Sequence, residues 1–165
     1  MADVYDKCPT YESAHFLLRL VEMDDAEDLL ECYSDPKAQP LFNADNCNSD
    51  FCFSSLDEMR GYLEWWLEAY KNKWLFRFSI VDKQSNRAVG TVEIFGGERG
   101  VLRIDIKPGY EKEAYMNELL KMADAFFGDF QTDAIVTKAV PEASGRVKAL
   151  LKNGYGPYEA KHEHY

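Results

Sequence analysis

Val101-Leu102-Arg103-Ile104-Asp105-Ile106-Lys107-Pro108-Gly109-Tyr110 is the stretch on which the fold turns. From Leu102 onward apolar and charged side chains alternate, the period of a strand with two unlike faces, and Pro108 stops the pattern because it has no N–H to give to a ladder. Beyond it the period lengthens. Tyr115, Leu119, Met122, Ala123 and Phe126 recur at helical spacing, so a helix is expected from about Glu111 to Phe127. Ala134 to Ala139 then reads as a short buried strand. A strand, a helix and a second strand in that order imply a parallel pair joined by a right-handed crossover, with the two strands parting at the end next to Pro108.

Working outward, Trp74 to Asp82 and Arg87 to Gly96 are aromatic and β-branched runs around the polar turn Lys83 to Asn86, which makes an antiparallel hairpin leading into Val101 to Lys107. Upstream, Ser55 with Glu58 forms a capping box, and Leu56, Met59, Leu63, Trp66, Leu67 and Tyr70 continue it as a helix. Pro36 to Ser54 has no clean period and reads as a loop. Phe16 to Val21 is strand-like, and Asp24 with Glu27 suggests a second capping box ahead of Ala26, Leu29, Leu30 and Tyr33. Downstream, Pro141 suits the first turn of a helix running to about Lys152, with Asn153-Gly154 as its C-cap and one or two short strands after Tyr155. The expectation is one α/β domain over residues 1–165, with residues 1–14 as an extension. A mixed, mostly antiparallel central sheet would carry helices on both faces.

Composition narrows the function classes. The chain has 165 residues, 46% of them hydrophobic, and a formal charge of -10. That charge repels nucleic-acid phosphates and anionic membranes, so neither is expected as a partner, whereas a cationic amine is attracted. The N-terminus carries Asp3 and Asp6 where a secretory signal would carry lysines, and there is no 18-residue apolar run, so a cytoplasmic protein is expected. Cys8, Cys32, Cys47 and Cys52 form no CxxC pair and read as free thiols. His162 and His164 flank Glu163, but a metal needs a third ligand that the sequence does not identify, so no metal site is expected.

The order of elements, with Ile106-Lys107-Pro108-Gly109-Tyr110 directly before a helix, resembles the GNAT acetyltransferases. Leu18-Arg19-Leu20 followed by Asp24-Asp25-Ala26-Glu27-Asp28-Leu29 is similar to the opening of their ribosomal-protein alanine acetyltransferase branch. The resemblance implies the GNAT acyl-CoA N-acyltransferase fold, acetyl-CoA as co-substrate, and acetyl transfer to an amine of a small molecule or a protein; a homodimer stays open. It further implies that Ile104 and Ile106 present backbone groups to the pantetheine arm of acetyl-CoA, and that Glu111, Lys112, Glu113, Ala114, Tyr115 and Met116 stand where the family holds the pyrophosphate. A helix N-terminus suits an anion on physical grounds alone. The family's loop glycines are absent here, and Glu111 and Glu113 add repulsion, so weak coenzyme A binding is expected, with Lys112 the one helpful charge. Leu150 stands where the family commonly has the tyrosine that protonates the departing thiolate.

Acetyl transfer needs the amine to shed a proton, and Glu93 and Asp105 lie mid-strand where acidic residues are unfavourable, so either is a candidate base. The alternative is that both point outward on a solvated face and pair with Arg103 and Lys107. Two other readings stand beside the enzyme: a catalytically impaired GNAT-fold binding protein, and an interaction module anchored by an exposed Trp65.

Overall fold

A computed structural model of the chain describes residues 5, 7–38, 40, 53–95, 99–129, 134–137 and 139–156. Among the described residues, six strands form one sheet in chain order: β1 (Tyr11–Glu12), β2 (Phe16–Leu20), β3 (Phe76–Asp82), β4 (Arg87–Phe95), β5 (Arg99–Ile106) and β6 (Ala134–Val136). The helices are α1 (Ala26–Tyr33), α2 (Leu56–Lys71), α3 (Glu113–Asp129) and α4 (Ser144–Lys152). All neighbouring strands pair antiparallel except β5 and β6, whose parallel register Arg99↔Ala134 to Val101↔Val136 is the crossover expected from the alternation around Ile104. The mixed, mostly antiparallel sheet with helices on both faces is therefore the observed architecture.

Each face of the sheet carries its own core. Phe16, Leu18, Phe78, Ile80, Val92, Leu102, Ile104 and Ile106 meet Met116, Leu119, Leu120 and Ala123 of α3 and Ala149 of α4 on one side. On the other, Leu29 and Tyr33 of α1 pack with Met59, Leu63 and Trp66 of α2. Most of the driving force for folding comes from burying these stripes, at roughly 25 cal/mol per Å² of apolar surface.

The local signals hold with shifts of a few residues. Ser55 caps α2, accepting from the amide of Glu58 at 3.2 Å, while the Glu58 carboxylate turns to the Ser54 hydroxyl. At α1 the box lies earlier than Asp24 and Glu27: a 3-10 turn over Met23–Asp25 comes first, and the Asp25 carboxylate accepts from the Glu22 amide at 2.9 Å. Asp25 does so because Arg19 and Ser79 already hold it in place. Likewise α4 begins at Ser144 rather than Pro141, and α3 at Glu113 after a 3-10 turn over Pro108–Tyr110. Asn153 is the C-cap, Gly154 directly after it takes φ +87, and the amide of Tyr155 reaches back to the Leu150 carbonyl. Tyr11–Glu12 pairs with β2 inside the stretch expected to be an extension. Most of the loop expected over Pro36 to Ser54, and all but the first two residues of the Tyr155 to Tyr165 stretch expected to hold one or two strands, lie outside the described residues.

Candidate active site

The site is built around β5, whose two faces and outer edge do different work. Arg103 and Asp105 point to the α1–α2 side, and that face is buried, not solvated as the alternation alone suggested. Helices α1 and α2 cover it with Tyr33 and Trp66. Asp105 is 0% exposed. Its carboxylate accepts from Arg103 Nε at 2.8 Å, Tyr33 Oη at 2.7 Å and Arg77 Nη1 at 3.2 Å. Arg77, on β3, also donates to the Thr91 hydroxyl at 2.8 Å, ion-pairs with Glu93 at 2.8 Å and lies 4.1 Å from the centre of a Trp66 ring. Glu93 keeps 8% exposure. Two arginines and two carboxylates thus cancel, as charges this deep must. Burial first, then the charge of Asp105, pushes the Tyr33 hydroxyl well above its ordinary pKa, so it stays a neutral donor.

Lys107 does not join this group. Its ammonium reaches Glu31 at 2.7 Å, beside Arg87, on the outer side of α1. Of the two cations expected from sequence, Arg103 does pair with Asp105, and the place of Lys107 is taken by Arg77, a residue that the sequence reading left out. One signal was available: Arg77, Glu93, Arg103 and Asp105 each stand mid-strand in the same alternating phase, and four such charges can share a face only by pairing.

The outer edge of β5 faces β6, and their pairing covers only Arg99–Val101 among the described residues. Past that point the backbone turns to side chains. The Leu102 carbonyl accepts from the Thr137 hydroxyl at 2.8 Å, and the Ile104 carbonyl accepts from Arg146 Nη2 at 2.9 Å. Ile106 shares the phase of Ile104 in the ladder to β4. Arg146, in the first turn of α4, is 4% exposed and also grips both oxygens of Glu111, one of them through Nε at 3.2 Å.

Glu111 ends the 3-10 turn ahead of α3, so the clasp brings the start of α4 against the start of α3. Gly145 allows that approach. A Cβ there would lie 2.9 Å from the Glu113 nitrogen and 3.0 Å from the Glu111 carbonyl oxygen, inside any ordinary contact. Of the remaining loop residues, Lys112 and Ala114 are exposed and Glu113 is half-buried, while Met116 is fully in the core. Tyr115 turns away into a ring cluster with Phe16, Tyr110 and His15 at 5.3 to 5.5 Å. Its ring is therefore directed toward the aromatic surface of β2, away from the start of α3. Leu150 packs against the α3-side core. Among the described residues no group of three His, Cys, Asp or Glu side chains could hold a metal, and His162 and His164 lie outside them. No described helix is long and apolar enough to cross a membrane.

Comparison with known proteins matches the architecture. The model of the acetyltransferase (GNAT) domain matches residues 15–156. The chain is similar in structure to a ribosomal-protein-S5-alanine acetyltransferase from Vibrio fischeri, with TM-score 0.71, 18% identity and 88% of this chain and 82% of that one covered. It is also similar to a GNAT-family acetyltransferase from Bacillus anthracis, with TM-score 0.69, 18% identity and coverage of 88% and 82%. A third likeness is to a spermidine N-acetyltransferase from Vibrio cholerae in complex with CoA and spermine, with TM-score 0.68, 18% identity and coverage of 86% and 81%. No curated protein matches the sequence significantly.

Proposed function

The chain belongs to the GNAT acetyltransferase family, and from that premise we propose that it transfers an acetyl group from acetyl-CoA to an amine of a small molecule or of a protein. The observation that carries this reading is the end of the described β5–β6 ladder at Val101, past which the Leu102 and Ile104 carbonyls meet side chains instead of a neighbouring strand, and that stretch of edge is the gap we read as the donor site. An extended ligand with amide groups can complete such an edge as a further strand would. A chain with formal charge -10 also attracts a cationic acceptor.

The residues in this conformation do not fit acetyl-CoA as they stand. Arg146 holds the Ile104 carbonyl, Gly145 lies against the Glu113 amide, and the Glu111 carboxylate occupies the place before α3 where a pyrophosphate would need positive surroundings. On the acceptor side we assign the general base to Glu93 rather than Asp105. Asp105 is fully buried and has both oxygens bound, whereas Glu93 retains some exposure.

The test is a thiol-release assay with acetyl-CoA and a panel of polyamines and N-terminal peptides. At least one amine should stimulate release, and Glu93→Gln should lower turnover at least tenfold while Asp105→Asn acts first on stability. The clasp of Arg146 and the absent tyrosine at Leu150 favour a second reading, a family member kept for binding. Coenzyme A binding with no amine-stimulated release would select it.

A further inference from the structure

We propose that Arg146 and Glu111 form an autoinhibitory clasp, an internal stand-in for the donor that holds the gap beside β5 shut until a ligand displaces it; this rests on reading that gap as the donor site. The arrangement is not what local electrostatics alone would produce. Arg146 lies in the first turn of α4, where the helix dipole is positive and a cation is disfavoured. It is also nearly completely buried, and burying a guanidinium demands an opposite charge and filled hydrogen bonds. Both come from the elements that frame the gap: the carboxylate of Glu111 and the carbonyl of Ile104.

Each half of the clasp occupies a place a ligand would use. The Arg146 N–H groups meet the strand edge as an amide would, and the Glu111 carboxylate sits at the entrance to α3 as an anion would. Gly145 lets the two helix starts close on each other, with its Cα against the backbone of residues 111–113. Swinging Arg146 out would free the Ile104 carbonyl and loosen the start of α4 from the start of α3, while Ala149 and Asn153 keep the rest of the two helices together. The same motion leaves Glu111 without its cation, so opening is costly unless a ligand repays it.

The double variant Glu111→Gln with Arg146→Ser removes both charges together and leaves space at the edge, avoiding a lone buried carboxylate. Calorimetric titration with coenzyme A should show binding at least tenfold tighter than in the parent, and Glu111→Gln alone should give a smaller gain of about threefold. Backbone amide exchange along residues 102–106 should be faster in the double variant and slow again when coenzyme A is added. Equal affinity in the parent and both variants, with all three melting cooperatively, overturns the clasp and leaves the acetyltransferase reading in place. If none of the three binds coenzyme A, the donor-site reading fails, and the clasp fails with it.

Discussion

Two buried charge clusters flank β5, and they are built differently. Beneath α1 and α2, Arg77, Arg103, Glu93 and Asp105 share their hydrogen bonds with Tyr33 and Thr91, and Trp66 closes over Arg77. Asp105 has three partners from three separate elements. At the outer edge, Arg146 and Glu111 hold each other with one backbone carbonyl in support. The first cluster is cross-braced, so no member can move without stranding another. The second is a single joint between two helix starts, and a joint can open. Redundancy of partners, more than depth of burial, separates a structural network from a movable one.

The sharpest way to break that comparison is Arg77→Met, which keeps much of the side-chain volume and removes the charge shared by two carboxylates. Leaving a buried ion without its partner costs about 3 to 5 kcal/mol, so urea unfolding should show a loss in that range. A loss below about 1 kcal/mol would mean that Arg103 alone can hold both acids and that the cross-bracing is illusory. The corresponding change in the joint, Arg146→Met, should cost less, about 1 to 3 kcal/mol. Arg146→Met strands the single carboxylate of Glu111, whereas Arg77→Met strands both Glu93 and Asp105. If Arg146→Met proves the more damaging of the two, Arg146 is a structural arginine and the clasp cannot serve as a gate.

Much of the fold was legible because it depends on periods: the alternation at Leu102, Ile104 and Ile106 against the helical spacing of Leu119, Met122 and Ala123 was enough for the parallel crossover. The site was less legible because its partners are remote in sequence. Glu111 and Arg146 are separated by 35 positions, and Arg77 and Asp105 by 28. Periodicity places a charge on a face but cannot say which other charge shares it. The solvated-face alternative for Glu93 and Asp105 failed for that reason, since it required knowing that α1 and α2 fold over those strands.

A smaller and more graded effect sharpens the comparison with a third ion pair, beside β2 and β3 on the α1–α2 face of the sheet. Asp25 is buried, yet Arg19 beside it stays partly exposed, so this pair stands between the network and the joint in depth. Burial pushes the Asp25 carboxyl up, but the Arg19 guanidinium at 2.8 to 2.9 Å, the Ser79 hydroxyl and the Glu22 amide together outweigh it, and its pKa falls below the ordinary value. Asp82 is held low by the Tyr110 hydroxyl, and in Glu118 the bonds from Ser13 and His15 overcome burial. For a carboxyl depressed in the folded state, the stabilisation is fully present above the unfolded pKa of about 4 and is lost as pH falls through the folded value. Stability should therefore be level near neutrality and fall between about pH 5 and pH 2. Asp25→Asn should start lower at pH 7 and lose less across that window, because one of the groups that protonates on acid unfolding is gone. Urea midpoints of parent and variant at half-unit pH steps check this. Two curves that run parallel from pH 7 to pH 2 would show that Asp25 takes no part in the acid transition, and that its bonds to Arg19 and Ser79 add nothing beyond what a neutral amide provides.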